Sequence, residues 1–318
     1  MYRILSLDGG GIRGLLATRL LQKIDLDLPK FWTQFDLIAG TSTGAIPALG
    51  LAAGISPADL SEVYQESHAQ VFKDSSWDNV KDLLAVTGAQ YSAAGLKRVL
   101  ANLFGQKTLG DLQKRVIVPA VHLDNQSADP VKPRHWKTKF FHNFAGDDSD
   151  AAELVVDVAL RSTAAPVYFP IYQGYVDGGL AANNPSMCAL VQALKEGEGP
   201  LEEIALFSVG TGLNPKFIPE QEGDWGLLQW AYRNATPASP TLRLPLIEMI
   251  FEVSIGLADY QCRQFLGERY HRLNPILKEP IDLDDGAQVY RLNQLAGRID
   301  LKETITWLKR HLTIAAGG

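Results

Sequence analysis

The stretch that decides the fold is residues 35–44, which read FDLIAGTSTG. Its first half is a short apolar run typical of a buried strand, and the apolar residues after it fit a buried helix. A G-x-S-x-G pattern between a strand and a helix is typical of a tight turn that lifts the serine hydroxyl above the end of a sheet. Ser42 is therefore a candidate nucleophile, and Gly40 and Gly44 remove the Cβ atoms that would clash in such a turn.

A second glycine-rich turn lies closer to the N-terminus. Residues 2–7 form a strand-like apolar run that leads into Asp8 and then into GGGIRG at residues 9–14. Bare backbone N–H groups at a helix start suit an anion, and two anions fit. One is a phosphate, because Gly9, Gly11 and Gly14 have the dinucleotide-binding spacing. The other is the oxyanion of an acyl-transfer intermediate, and the residues alone leave both open.

A serine nucleophile needs a base, and the residues alone do not identify it. Asp177, followed by Gly178 and Gly179, comes after the strand-like run 174–176, but this pattern is also common in plain turns. The chain has six histidines, and none stands in a recognisable catalytic signature. His135, beside a tryptophan in a predicted loop, is the hardest of them to set aside.

Composition excludes several classes of protein. The 318 residues include 30 Lys and Arg against 36 Asp and Glu, so the formal net charge is -6. Such a chain lacks the positive surface of a general nucleic-acid binder, and bulk charge would not draw it to an anionic membrane. Its two cysteines form no disulfide framework, and no Cys–His cluster has zinc spacing, so no metal is expected. No signal peptide or transmembrane helix is evident, which favours a cytoplasmic protein and is compatible with peripheral membrane contact.

Strand-like and helix-like segments alternate along the first half, which predicts an α/β fold with three layers, α/β/α, and a mostly parallel central sheet. Further strands are expected at residues 115–123 and 204–209, and Pro119 suggests a bulge or an edge strand in the first of these. From about residue 223 the pattern is mainly helical, and a last helix is expected over residues 301–312. Because no linker or repeat is evident, residues 1–318 are predicted to form a single domain.

Three motifs in this order resemble those of the patatin-like phospholipase family. They are DGGGIRG at residues 8–14, GTSTG at residues 40–44 and DGG at residues 177–179. RSTAAP at residues 161–166 and YFP at residues 168–170 are similar to another segment of that family. The resemblance covers about residues 1–210, and the helical part from about residue 223 matches no motif of the family.

The resemblance implies a catalytic dyad in which Ser42 is the nucleophile and Asp177 takes its proton. It implies hydrolysis of acyl esters of phospholipids and related lipids through an acyl-serine, of phospholipase A or lysophospholipase type, with no calcium or other cofactor. The residues that match the family's oxyanion loop are Gly9, Gly10, Gly11 and Arg13, with the Arg13 charge adding to the field. Two alternatives stay open: a transacylase that uses the same site, and a nucleotide-binding regulatory module that uses the glycine loop.

An acyl hydrolase also needs an apolar trough beside its nucleophile. Two segments rich in large apolar residues, 71–86 and 225–232, are candidates for the lip of this trough and include Trp77 and Trp230. The simpler interpretation makes both segments core-facing stripes of ordinary helices. The sequence does not give the oligomeric state.

Overall fold

The computed structural model describes residues 1–72, 89, 91–218, 225–231 and 244–312. Its strands are β1 (Tyr2–Leu7), β2 (Leu37–Gly40), β3 (Arg115–His122), β4 (Lys137–His142), β5 (Tyr175–Asp177), β6 (Ile204–Val209) and β7 (Tyr270–Leu273). Within these residues the strands form one sheet in the order β4-β3-β2-β1-β6-β7, and β5 pairs with β3.

Helices connect most of these strands. They are α1 (Gly14–Asp27), α2 (Ala45–Ala52), α3 (Pro57–Phe72), α4 (Ala93–Phe104), α5 (Val155–Ser162), α6 (Gly179–Ala182), α7 (Ser186–Lys195), α8 (Leu227–Ala231), α9 (Pro245–Leu266), α10 (Val289–Arg298) and α11 (Lys302–His311). In the part of the chain that the structure describes, no helix has the length and hydropathy needed to cross a bilayer.

The central strands are parallel. β1 pairs in parallel with both β2 and β6, β2 pairs in parallel with β3, and β6 with β7. β4 and β5 run antiparallel to β3. Because parallel strands end at the same edge of a sheet, the turns that follow β1 and β2 lie side by side there. This edge carries both glycine-rich motifs.

The sheet is buried on both faces. On β1, Leu5 and Leu7 belong to a core shared with α1 and α2, whereas Ile4 belongs to a second core shared with α7 and α9. On β6, Phe207 joins the first core and Leu206 the second. This two-residue alternation, with apolar side chains on both faces, is what a sheet between two helical layers requires. The predicted three-layer α/β/α fold is confirmed.

One local prediction was wrong. Pro119 lies inside the sheet, because its strand β3 has partners on both sides. On one side β3 pairs with β4. On the other side it pairs with β2 up to Ile117 and with β5 from Ala120. A proline fits there because it occupies the gap between two partner strands, where no ladder N–H is required. The mainly helical segment from residue 223 also contains β7, whose polar sequence YHRL lacks the apolar run expected of a buried strand. The single-domain organisation stays a prediction.

A buried ion pair joins the ends of β1 and β7. The Arg272 guanidinium donates to both carboxylate oxygens of Asp8, at 2.5 and 3.3 Å, and to Ser208 Oγ on the intervening β6 at 2.6 Å. Asp8 is fully buried, which raises the pKa of its carboxyl, and the guanidinium opposes that rise. The ion pair holds Asp8, the residue that directly precedes the first glycine-rich turn, in place.

We expect Arg272→Met to lower the free energy of unfolding by about 3–5 kcal/mol, because it leaves the Asp8 carboxylate buried without a counter-charge. Urea denaturation followed by circular dichroism measures this loss. The double variant Asp8→Asn, Arg272→Met should recover most of it, since no charge is then buried. A double variant as unstable as the single one would show that the methionine, and not the unpaired carboxylate, is responsible.

Candidate active site

The Ser42 turn is a strained junction between β2 and α2. Thr41 is still extended, and Ser42 then adopts a φ of +52°, in the left-handed region that side chains other than glycine rarely enter. Residues Ser42–Gly44 form a single 3-10 turn before α2 begins at Ala45. Strain of this kind typically costs about 1–3 kcal/mol and occurs at functional sites. It leaves the serine hydroxyl at the end of the sheet, as the motif predicts.

Glycine at position 44 lets this turn pack against the neighbouring turn. A Cβ atom there would lie 2.4 Å from the backbone oxygen of Leu7 and 2.5 Å from that of Asp8. The Thr41 N–H donates to the same Leu7 oxygen at 3.2 Å, and the Gly44 N–H donates to Thr41 O at 2.7 Å. The close backbone contact therefore joins the ends of β1 and β2.

Asp177 lies directly against the serine. Ser42 Oγ donates to Asp177 Oδ2 at 2.6 Å, and the Gly179 N–H donates to Asp177 Oδ1 at 2.7 Å. Asp177 ends β5 and is 1% exposed. Burial raises the pKa of its carboxyl from the ordinary 3.8 to about 7, while the hydrogen bonds from Ser42 and Gly179 limit the rise. A carboxylate with such a pKa is a much better proton acceptor at neutral pH than an exposed one.

None of the histidine side chains that the structure describes lines the Ser42 cavity. These are His122, His135, His142, His271 and His311. The His135 ring instead lies beside Asn125 and the Pro133 carbonyl in an exposed loop. The side chain of His68 lies outside the described residues. Of the candidate bases with a described side chain, Asp177 is the one in contact with Ser42.

Ser162, which no sequence argument singled out, holds the backbone of the Ser42 turn in place. The Ser42 N–H donates to Ser162 Oγ at 2.9 Å, and that hydroxyl donates to Pro119 O at 2.7 Å. The Gly178 N–H donates to Ser162 O at 3.2 Å. Ser162 thus joins the nucleophile turn, β3 and the turn that carries Asp177. The sequence feature that could have identified Ser162 was its place in the RSTAAP segment, residues 161–166.

The glycine loop lies close to the serine, and two of its residues, Gly10 and Gly11, line the cavity. The Gly9 N–H already donates to Asn183 O at 2.9 Å, so the prediction that Gly9 binds an oxyanion is corrected: its amide anchors the loop. In the described part of the chain, the Gly10 and Gly11 N–H groups have no hydrogen-bond partner, and both residues line the cavity. A Cβ atom at Gly9 would lie 3.2 Å from the Ser42 Cβ, which shows how closely the loop approaches.

The Arg13 guanidinium does not point to the cavity, contrary to expectation. It is 1% exposed and donates to Glu252 Oε1 at 2.6 Å, to Gly212 O at 3.1 Å and to Gly10 O at 3.3 Å. Its charge is therefore neutralised by a carboxylate on α9. Arg13 therefore holds the Gly10 peptide in place, and its charge is not directed toward the expected oxyanion position.

The remaining motif glycines surround these groups. Gly14 opens α1, Gly40 ends β2, Gly178 follows Asp177, and Gly179 opens α6. Asn183, directly after α6, is a site residue that the sequence did not indicate. It accepts from Gly9 through its backbone, and its Nδ2 donates to Phe251 O on α9 at 3.1 Å.

A cavity of about 960 Å³, counted with its open mouth, leads to Ser42. Its polar floor comprises Ser42, Asp177 and the Gly10–Gly11 peptide, and the rest of its lining is mostly apolar. The apolar lining includes Ile12, Ile46, Leu96, Val99, Leu100, Phe169 and Phe251. Such a surface suits a hydrocarbon chain better than a nucleotide. Among the described residues, no group of three or more His, Cys, Asp or Glu is placed to hold a metal ion.

The predicted lip segments are described only in part. Residues 73–88, with Trp77, lie outside the described residues. In the second segment, the rings of Trp225 and Trp230 contact each other with centroids 5.1 Å apart, and Leu227 is exposed.

A serine hydroxyl on a strand-to-helix turn, above a mostly parallel sheet and at the base of an apolar cavity, defines an acyl hydrolase of α/β architecture. A family model described as Patatin-like phospholipase matches residues 5–190 of the chain. The chain therefore belongs to the patatin-like phospholipase family of lipid acyl hydrolases.

Individual relatives agree with this assignment. The chain is 29% identical to Protein teg of Priestia megaterium, over 98% of each chain. It is 32% identical to a cGAMP-activated phospholipase of Pseudomonas aeruginosa, covering 86% of this chain and 78% of that protein. It is 26% identical to Patatin-like protein 2 of Oryza sativa subsp. japonica, covering 81% and 71%.

We expect Ser162→Ala to destabilise the protein by about 1–3 kcal/mol, because the buried Ser42 N–H and Pro119 O lose their shared partner. Ester hydrolysis should slow as well, since the nucleophile turn loses its anchor. Ser61→Ala is a matched control: Ser61 is equally buried, and its hydroxyl has no partner in the part of the chain described. Urea denaturation and initial rates on a short-chain ester compare the two. Equal losses in both variants would contradict the supporting role of Ser162.

Proposed function

We propose that the protein cleaves carboxylic ester bonds of membrane lipids, as a phospholipase A or lysophospholipase, through an acyl-serine on Ser42 with Asp177 as general base. The observation that carries this proposal is the 2.6 Å hydrogen bond from Ser42 Oγ to a buried carboxylate at the base of an apolar cavity. The distance lies within the range for direct proton transfer between a nucleophile and its base.

Acylation begins when Ser42 Oγ attacks the ester carbonyl carbon and Asp177 Oδ2 accepts its proton. The bond from Oγ to carbon forms, and the carbonyl electron pair moves to the oxygen to give a tetrahedral oxyanion. When this intermediate collapses, the bond to the leaving alkoxide breaks and the protonated Asp177 returns the proton to it. The lysolipid leaves, and the acyl group remains on Ser42.

Deacylation repeats these steps with water. Asp177 takes a proton from the water while the water oxygen attacks the acyl carbon. The second tetrahedral intermediate then expels Ser42 Oγ. The proton passes to Oγ, and the fatty acid leaves. One carboxylate therefore acts as base and then as acid in each half-reaction, so no histidine is needed.

Gly10 and Gly11 are the proposed oxyanion donors. Both residues line the cavity and their N–H groups have no partner among the described residues, and the Arg13–Glu252 pair and the Gly9–Asn183 bond hold the loop around them. Donors that are fixed before the reaction need no reorganisation when charge develops, and one such donor typically contributes about 3–4 kcal/mol to transition-state stabilisation.

A transacylase would share every step except the last acceptor, which would be an alcohol instead of water. The test is to incubate the enzyme with defined phospholipids, lysophospholipids and galactolipids and to identify the free acids and acylated acceptors. The products distinguish hydrolysis from acyl transfer and show which head groups the enzyme accepts. The cytoplasmic location and peripheral membrane contact stay proposals.

We expect Asp177→Asn to reduce kcat by about 10²–10⁴-fold, because the amide cannot accept the serine proton. Ser42→Ala should abolish both ester hydrolysis and covalent labelling by a fluorophosphonate, which reacts with activated serines. Thermal unfolding should show that Asp177→Asn is folded and at least as stable as the parent, since it removes a buried charge. A Ser42→Ala variant that cleaves lipid at the parental rate would disprove the mechanism.

The raised pKa of Asp177 has opposite effects on activity and stability as pH rises. Activity should increase through about pH 7, because only the ionised carboxylate can take the proton. The folded state holds this proton more tightly than the unfolded chain, so this group's contribution to stability is present below about pH 4 and is lost as pH rises through about 7. Urea denaturation of the parent and Asp177→Asn across this range isolates the effect. A difference between them that does not vary with pH would refute it.

A further inference from the structure

The outward face of α9 is apolar over its first five turns. Every exposed residue between positions 245 and 262 lacks a charge. These residues are Leu246, Met249, Ile250, Val253, Gly256, Leu257 and Tyr260, which we call the α9 stripe. The spacing of three and four residues places them on one side of the helix. Val253, Leu257 and Tyr260 are 65%, 59% and 63% exposed.

Two of the three acidic residues of the same helix pair with cations inside the protein, and the third, Asp259, is partly buried and accepts from Arg263 at 3.0 Å. Glu248 Oε2 lies 2.7 Å from Lys216 Nζ, and Glu252 pairs with Arg13. An ordinary surface helix turns its apolar side to the core and its charged side to water. α9 also has an apolar inner side, since Phe251, Ala258 and Cys262 are buried, but over these turns its outer face lacks the charged residues of such a helix.

The helix that carries the stripe also forms part of the active site. Phe251, between the stripe residues Ile250 and Val253, points inward and lines the catalytic cavity. Its carbonyl holds Asn183, which anchors Gly9, and the next residue, Glu252, holds Arg13. One side of α9 is therefore exposed and apolar. The other side carries Phe251, which lines the cavity, and Glu252, which holds Arg13.

We propose that the α9 stripe is the surface through which the enzyme docks on the hydrocarbon of a zwitterionic lipid bilayer or micelle. The inference builds on the lipid acyl hydrolase activity and extends the proposed function from the reaction to the way the enzyme reaches its substrate. Docking there brings the wall of the acyl cavity next to the lipid, so a chain can enter with little exposure to water.

Charge and size favour a lipid surface over other occupants. The stripe offers no cation to an anionic head group, and the whole chain has a net charge of -6. Seven residues on one helix also fall well short of the roughly 20–30 residues per side in a stable protein dimer. α8 packs on α9 and adds Leu227, which is 82% exposed, to the same apolar region.

The test measures binding separately from catalysis. Ser42→Ala serves as the parent, so the vesicles stay intact, and its flotation with phosphatidylcholine vesicles gives the partition coefficient. Val253→Asp and Leu257→Asp should each lower this coefficient about tenfold or more, since each removes an apolar side chain from the lipid contact and adds a charge. Added salt should leave the parental binding unchanged, because no ion pairs are involved. Val131→Asp is the matched control: Val131 is 85% exposed in the loop between β3 and β4, outside the stripe, and binding should not change.

In the Ser42-containing enzyme, Val253→Asp should keep its rate on a soluble short-chain ester while losing activity on vesicles. That retained rate also shows that the variant is folded. Unchanged vesicle binding by both stripe variants would overturn the proposal. So would a shift from dimer to monomer in sedimentation with vesicle binding intact, which would make the stripe a contact between two copies. Failure of the Ser–Asp mechanism would appear differently, as an active Ser42→Ala enzyme whose binding still depends on Val253.

Discussion

The active site depends on three backbone turns that approach one another more closely than a side chain would allow. An added Cβ at Gly44 would lie 2.4 Å from Leu7 O, and one at Gly178 would lie 2.1 Å from Pro119 O. At Gly9 an added Cβ would lie 2.1 Å from Asn183 Oδ1. These contacts bring the ends of β1, β2 and β5 together at one edge of the sheet. The short distance between Ser42 and Asp177 follows from them, because each of the two residues stands on one of these turns.

What the sequence predicted correctly was encoded locally. A strand, a glycine-flanked serine and a helix are neighbours in the chain, so their pattern is visible without knowledge of the fold. What it missed depended on partners far along the chain. Arg13 sits in the glycine loop, but Glu252, which neutralises it, lies 239 residues later. Ser162 and Asn183 likewise acquire their roles only when β3, α6 and the glycine loop meet. No local pattern distinguishes such residues from ordinary polar ones.

Helix α9 shows a different limit of sequence patterns. Periodicity reveals that one side of a helix is apolar, but it does not say which way that side faces. The expectation that apolar stripes face the core fits α1, where Leu16, Leu20 and Ile24 are buried. On α9 both sides carry apolar residues, since Phe251 and Cys262 are buried while Val253 and Leu257 are exposed. Ion pairs with Arg13 and Lys216 hold Glu252 and Glu248 on the inner side of the helix, and the sequence alone does not show these partners.

The treatment of buried charge also separates structural acids from the reactive one. Asp8 and Glu252 each pair with a guanidinium, which supplies a counter-charge inside the protein and gives these acids a structural role. Asp177 receives a hydroxyl and an N–H, and within the described residues no cation pairs with it. Its ionised form is therefore the costly one, and the protein forgoes stability at neutral pH to keep it. A cation at this position would strengthen the fold and weaken the base, because it would return the pKa of Asp177 towards that of an ordinary carboxylate. In the proposed mechanism, the lack of such a partner among the described residues is the feature that lets a carboxylate serve without a histidine.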